Sequence, residues 1–416
     1  MVVVAVVAMA AAAAVAGDRV NAPQLGAAAL LLALARTLCA QAEVGAVAAQ
    51  IVEPGAWLSR EVGEGVELRQ RRFPSLFDAP QSLSVLVVRG GGTSRFDVVA
   101  PGRRTRTSAM GEAGGALAAI NGGFFEIETT GLSRGLLRLD GNLVTAASPG
   151  QASVGFDARG WPVLATRDAG DWPEVHDALG AGPMLLVAGK VVDHGPRQRG
   201  IRHPRSALGL APDAVVLLAI DGRNAVAAGM TFEETATVLQ AFGCSDALNL
   251  DGGGSTTMWL AGLGVVNHPC DNRKFDHAGE RAVANAILLR APAVVVVDDD
   301  AAELHGDGWR QRQDGGGFHG ADFATCEDRA ARAVFVAELP FAGRWRAFGR
   351  QPLAAGASWR VALPGVAGGE SVPVAPGAWR VLGECTLAAG GVATVEITAA
   401  GGMLVVDAVR WLQVVE

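Results

Sequence analysis

Three stretches of this 416-residue chain end an apolar run on a polar residue and follow it at once with glycine. They are Asn121-Gly122-Gly123, Asp221-Gly222-Arg223 and Asp251-Gly252-Gly253-Gly254. Glycine at such a place lets a ligand approach the backbone and exposes N–H groups to an anion. A single Asp-Gly is an ordinary turn. Three of them at the ends of strongly apolar runs point to one shared site, in the crevice at the carboxyl ends of strands where α/β sheets hold ligands. The third stretch continues as NLDGGGSTTM and adds the Ser255 and Thr257 hydroxyls. It is not a nucleotide P-loop, because no lysine follows Gly254, and its contiguous glycines do not fit the dinucleotide fingerprint. Ser255 has no Gly-x-Ser-x-Gly elbow around it.

Carboxylates and arginines lie beside these turns. Asp221, Glu234 and Asp251 are the candidate acid and base, since hydrolysis of an acetal needs one carboxyl as acid and another as base or nucleophile. Arg205 and Arg223 present planar forks of donors that match phosphate. Together they suit a substrate that joins a sugar to a phosphate, with backbone N–H groups of Gly122–Gly123 and Gly252–Gly254 assisting. Structural alternatives stand beside each: turn capping for Asp221 and Asp251, a capping box with Thr231 for Glu234, and surface ion pairs for the arginines. A divalent cation (Ca²⁺) on Asp221 or Asp251 also stays open. His203 and His268 each precede a proline in a loop and read as structural. The Asp298-Asp299-Asp300 run reads as a solvated linker in preference to a hard-cation site.

The elements that must position these groups follow from the apolar pattern. SVLVVR (84–89), LAAIN (117–121), PMLLVAG (183–189), VVLLAID (215–221) and ALNLD (247–251) read as buried strands. Thr231 and Glu234 frame the start of a helix, Ala236, Leu239 and Phe242 recur at its spacing, and Gly243 closes it. The predicted fold is an α+β (mixed α/β sandwich) domain over 82–291. From 292 to 416 short strands and frequent turns predict an all-β antiparallel sandwich. Residues 43–81 read as an irregular extension or a peripheral strand and helix. Residues 1–42 read as an export signal or N-terminal anchor ending at Ala40-Gln41-Ala42, so the protein is expected outside the cytoplasm. Beyond that segment no membrane span is expected.

Half of the residues are hydrophobic and 19% charged, enough for a large core. The net charge of −7 and the scattered arginines exclude a nucleic-acid partner. Cys244, Cys270, Cys326 and Cys385 are even in number, which permits two disulfides, and four free thiols fit equally well.

AAINGGFF (118–125), GAGPMLL (180–186), HPRSALGL (203–210), AIDGR (219–223), GMTFEETA (229–236), NLDGGGSTTM (249–258) and ERAVANAILL (280–289) occur in an order that resembles the phosphodiester glycosidase family. The resemblance covers about 80–290 and implies hydrolysis between a sugar's anomeric carbon and a phosphate. The family's motif residues fall on Asn121, Arg205, Asp221, Arg223, Glu234, Asn249, Asp251, Ser255 and Thr257. Two departures are Ser206, where the family often has Thr, and Cys270, where a small polar residue is usual. The tail resembles the golvesin and xanthan-lyase type of C-terminal domain, through VVDDDAAELHGDGW, LPFAGRWRAFGR and VVDAVRWLQV. That implies carbohydrate binding, with Trp309, Phe318, Trp345 and Trp379 as stacking candidates against core packing for each. The expected partner is thus a carbohydrate or glycosyl-phosphate polymer. The rival is a non-catalytic extracellular polysaccharide-binding protein.

Overall fold

The computed structural model describes residues 45–53, 55–195, 200–314, 317–352, 358–363, 371–373, 377–388 and 390–415. The 1–42 segment with its expected cleavage site lies outside them. Among the described residues no helix is long and apolar enough to cross a membrane.

The runs that read as buried strands form the centre of an eight-stranded sheet. Its order is Leu58–Gly63, Val66–Leu76, Ala79–Arg89, Ala214–Ile220, Arg205–Ala211, Asp246–Asn249, Met184–Val187 and Lys190–Val191. Every neighbouring pair is antiparallel. Val216 and Leu218 pack on one face with the helix, and Val215 and Leu217 pack on the other with Ile120 and Ile287. Burial on both faces explains why VVLLAI is a continuous apolar run and does not alternate.

Two five-stranded antiparallel sheets and a short pair, Thr105–Arg106 with Ala282–Val283, complete this part. One orders Gly264–Val265, Met258–Leu260, Ala118–Asn121, Ala286–Arg290 and Arg95–Val99. The other orders Pro162–Arg167, Gln151–Phe156, Asp177–Gly180, Leu137–Leu139 and Asn142–Thr145. α-Helix is confined to Thr107–Ala113, Phe232–Ala241 and residues 45–51 among the described residues. The fold is therefore β-rich, and the mixed α/β sandwich expected for 82–291 is not confirmed. The strand–helix–strand spacing suggested alternation of the two element types. In fact most β-branched runs between glycine turns close as antiparallel hairpins. The 58–76 region supplies the edge strand of the main sheet and its neighbour.

The single long helix has a specific positional effect. Phe232–Ala241 links Ala214–Ile220 to Asp246–Asn249, but these two strands are not neighbours. Arg205–Ala211 lies between them, antiparallel to both. The two outer strands thus run the same way and finish at one end of the sheet, where the middle strand begins. The helix is fixed by a complete Thr231/Glu234 capping box and buries Phe232, Ala236, Val238 and Leu239. Each larger side chain among these contributes roughly 1.5–3 kcal/mol. Gly243, at φ +84°, ends the segment in a conformation that side chains disfavour.

From Val294 on, the strands form further antiparallel sheets, and no sheet of the described residues joins strands from both sides of Pro292. Trp345, Trp359 and Trp411 are fully buried. Trp345 is therefore a core residue and not a sugar platform, whereas Trp309, Phe318 and Trp379 are half-buried. The two parts meet where Glu64 N–H donates to Pro292 O (2.9 Å) and Arg410 pairs with Glu61 (2.7 Å). All four described cysteines are free thiols, and burial pushes the Cys244 thiol up to about 12.

Candidate active site

The shared end of the three central strands opens into a cleft of about 760 Å³. Arg205 begins the middle strand opposite Ile220, and Ala207 lies opposite Asn249. The turns after Ile220 and Asn249 therefore flank Arg205 on either side. Asp251, Arg205, Arg223, Asn249, Gly252 and Gly253 all line the cleft, as the sequence suggested. The glycine turn is clamped to the middle strand: Gly253 N–H donates to Pro204 O (2.9 Å), and a Cβ on Gly252 would sit 2.7 Å from that same oxygen.

Asp251 is held through its backbone and lines the cleft. Its N–H donates to Gly122 O (2.9 Å), and its carbonyl accepts from Asn121 Nδ2 (2.7 Å). Burial raises its carboxyl above the usual range, while the nearby Ser255 hydroxyl, the Gly252 N–H and the Arg281 charge oppose that rise. A half-buried carboxyl, ionising later than usual and facing a cleft, is suited to exchanging a proton.

Arg205 is 6% exposed. Its Nε donates to Met230 O (2.9 Å) and Nη2 to Ile201 O (3.2 Å), and its guanidinium lies 4.0 Å from the Phe232 ring centroid. Burial pulls it down to about 10, so it still carries its charge at neutral pH. Arg223 stands exposed at the mouth, in a left-handed conformation (φ +59°) that aims it back over Gly253.

Two histidines join them. His203, expected to be structural, lines the cleft with Nδ1 3.4 Å from Arg223 Nη2. A guanidinium only donates, so this nitrogen is the acceptor. Burial, then Arg205 and Arg223, hold the ring below the usual imidazole range and hence neutral. His194 packs edge-on against Phe232 at 5.0 Å, its Nε2 buried and unpartnered. Nothing in the sequence around His194 marked it, since it belongs to no motif.

The remaining expected residues are not in the cleft. Asp221 is 1% exposed and its carboxylate is saturated. It accepts from Ser82 Oγ (2.7 Å), Asn267 Nδ2 (3.2 Å) and the His268 N–H (2.7 Å), and His268 Nδ1 lies 2.8 Å away. His268 in turn stacks on Phe275 at 3.9 Å. Glu234 accepts from the Thr231 N–H (2.9 Å) and from Arg202 Nε (3.1 and 3.0 Å). Arg202 also donates to Phe77 O. The Gly122 and Gly123 N–H groups are taken by Asn285 O (3.1 Å) and Oδ1 (2.7 Å). They are therefore not open to an anion. A Cβ on Gly123 would lie 1.9 Å from Gly180 O, so close packing accounts for that glycine. Asn121 is fully buried, with Oδ1 accepting from Ser206 Oγ (2.6 Å) and the Thr257 N–H (3.1 Å). Ser206 keeps the hydroxyl that a threonine would supply here. The Thr257 hydroxyl is buried without a partner, and Gly254 packs under the Arg281–Asp271 ion pair.

This division makes a prediction. Glu234→Gln removes the charge that Arg202 pairs with and leaves the cleft untouched. It should cost about 1–2 kcal/mol of stability, a loss of a few degrees in Tm, with kcat changed less than about threefold. Thermal unfolding and steady-state rates check it together. A collapse of kcat in a folded variant would return Glu234 to the chemistry.

Residues 114–290 match the family model described as phosphodiester glycosidase. Among particular proteins, the chain is 32% identical over 101 residues to the SPbeta prophage-derived uncharacterized protein YomE of Bacillus subtilis (strain 168), which covers 24% of this chain. The chain spans only 14% of that relative's length. Among solved structures it is similar to the catalytic domain of zebrafish N-acetylglucosamine-1-phosphodiester alpha-N-acetylglucosaminidase, auto-inhibited by its pro-peptide. The TM-score is 0.46 at 21% identity, over 57% of this chain and 85% of that one. A hypothetical protein from Synechocystis gives 0.46 at 15% identity, over 54% and 62%.

Proposed function

We propose that the protein hydrolyses the bond between a sugar's anomeric carbon and the phosphate of a glycosyl-phosphate diester. The carrying observation is that one late-ionising carboxyl, Asp251, shares a cleft with two guanidinium groups, Arg205 and Arg223. Among the described residues it is the one carboxylate in the cleft lining. The guanidinium groups hold the phosphate. Water then adds to the anomeric carbon, the carbon–oxygen bond breaks, and its electron pair leaves with the phosphate as a monoester. A phosphate monoester has a second pKa of about 6, so it departs without much protonation once arginines balance its charge. What the reaction lacks is a strong nucleophile. Asp251 supplies it as the anion that removes the proton from water.

Asp221 and Glu234 support this arrangement from outside the cleft: one fixes the loop through His268, and the other fixes the start of the helix that carries Phe232. The 1–42 segment and the half-buried aromatics Trp309, Phe318 and Trp379 extend the proposal. On that extension the protein is exported and acts on cell-wall or exopolysaccharide material, with the C-terminal strands engaging carbohydrate.

The test uses a panel of α- and β-linked sugar-1-phosphate methyl diesters in ¹⁸O-water. Expected products are free reducing sugar and methyl phosphate in equal amounts, with the label on the sugar. Label on phosphate would mean phosphorus–oxygen cleavage, and binding without turnover would mean a polysaccharide-binding protein; either refutes the proposal.

A further inference from the structure

Three carboxylates meet below the surface of the C-terminal strands. Asp298 ends the Val294–Asp298 strand and Asp299 follows it; Asp407 immediately precedes the neighbouring Ala408–Val414 strand. One oxygen from each lies within 4.8 Å of the others. Oxygens bound to a common Ca²⁺ at 2.3–2.6 Å can be at most about 5 Å apart, so the three fit one ion. The sequence pattern suggested a solvated linker here. Instead Asp299 is 1% exposed and Asp407 fully buried.

Burial alone would be unremarked if these groups were satisfied. Both oxygens of Asp299 and Oδ1 of Asp298 are buried with no hydrogen-bond partner. The Gln311 side chain lies near enough to ease the Asp299 charge without normal hydrogen-bond geometry. Asp407 accepts from the His319 N–H at 3.0 and 2.9 Å, and Arg350 Nε stands 3.6 Å from it. One guanidinium thus faces three carboxylates, and Asp300 and Asp322 add to the repulsion. Burial first, then repulsion from their carboxylate neighbours, pushes Asp298 and Asp407 up to about 7. Burial and the charges of Asp322 and Asp300 take Asp299 to about 6.

The contrast with Asp140, His176 and Asp177 is informative. Asp177 there accepts from the Val98 N–H (3.2 Å) and the Asp140 N–H (2.7 Å), so its carboxylate is already employed in holding backbone. Asp299 has no such occupation.

We propose that Asp298, Asp299 and Asp407 bind a calcium ion that ties the first strand of the C-terminal region to the last. An all-carboxylate donor set suits a hard cation, and water and backbone carbonyls would complete the shell. Mg²⁺ fits less well, because it demands a tight octahedron and gives up its waters reluctantly. The ion also reaches the adjacent aromatic edge. Asp407 holds the His319 N–H, and the His319 ring meets Trp379 at 5.9 Å. Calcium would therefore fix the His319–Trp379 edge as well as the two strands.

The full chain, stripped with chelator, is titrated with CaCl₂ by calorimetry and followed by thermal unfolding. Wild type should bind one equivalent at this site, and at a hundredfold excess over Kd its C-terminal transition should rise by on the order of 10 °C. Asp299→Asn and Asp407→Asn should each lose that equivalent, with affinity down at least about 100-fold. In chelator both should be no less stable than wild type, because the repulsion is relieved. Undiminished binding by a folded Asp299→Asn protein overturns the site. So does a wild type that takes up no calcium or shows no thermal shift, and that measurement decides even where a variant does not fold. An equal shift from MgCl₂ overturns the assignment to calcium.

Discussion

Asp251→Asn should lower kcat by about 10²–10⁴-fold, the range for losing a positioned acid or base, while Tm stays level or rises. The two halves have one cause. Burial holds the Asp251 carboxyl above the ordinary range, so the native protein keeps this proton to a higher pH than the unfolded chain does. For a carboxyl shifted upward, the associated stability is fully present below the unfolded pKa and fades as pH rises through the folded one. At neutral pH the ionised group therefore burdens the fold, and asparagine removes that burden at nearly the same size. Acting as the base, Asp251 must be ionised to work. Wild-type kcat/KM should then fall as pH drops through the raised pKa, giving an acid limb above the usual carboxylate value of about 4. A pH–rate profile with unfolding curves for both proteins checks this. Full activity in the variant would remove Asp251 from the chemistry, and a rate that falls with rising pH through the same pKa would make it the acid.

What the sequence could disclose was set by how local each cause is. Asp251, Asn249 and Gly252–Gly253 stand in one short stretch whose glycines force a tight turn at a strand end, so their place in a cleft was legible. Arg223 was legible too, two residues beyond such an end, whereas Arg205 opens a strand and reaches the cleft because the sheet sets it opposite Ile220. Asp221 was misleading for a physical reason. Its four contacts come from Ser82, Asn267 and His268, residues about 50 to 140 positions away, and only the fold shows that they use up the carboxylate. Gly122 and Gly123 resemble an anion-binding turn until Asn285, far along the chain and just ahead of the Ala286–Arg290 strand, is seen to take both N–H groups. The buried strands were visible as apolar runs, whereas their antiparallel order was not. The helix between 220 and 246 was visible, but not the strand that separates the two it joins, which comes from earlier in the chain. Asp299 likewise sits in an acidic run that reads as solvated, and only the fold buries it and brings it to Asp407, more than 100 residues on.

Arg205→Lys should reduce kcat/KM by about 10–150-fold, the loss of one to two charge-assisted hydrogen bonds worth about 1.5–3 kcal/mol. Lysine keeps the charge, so the loss isolates the planar fork. In wild type, Nε and Nη2 are spent on the Met230 and Ile201 carbonyls, and Nη1 has no hydrogen-bond partner among the described residues. The backbone contacts thereby fix the plane, and Phe232 beneath the guanidinium excludes water from its lower face. A phosphate meets a donor already oriented, which lowers the ordering that binding requires. Lysine reaches only one of these partners at a time, and its flexible stem must be ordered anew with each substrate. Alanine is the poorer test, because it would leave two buried carbonyls unpaired and confound binding with folding. The distinguishing measurement is product inhibition. Methyl phosphate should compete with substrate in wild type and bind about tenfold or more weakly to Arg205→Lys, while free sugar inhibits both alike. If instead the variant loses affinity for the sugar and keeps it for the phosphate, Arg205 faces the wrong end of the bond, and the phosphate must be held by Arg223 alone.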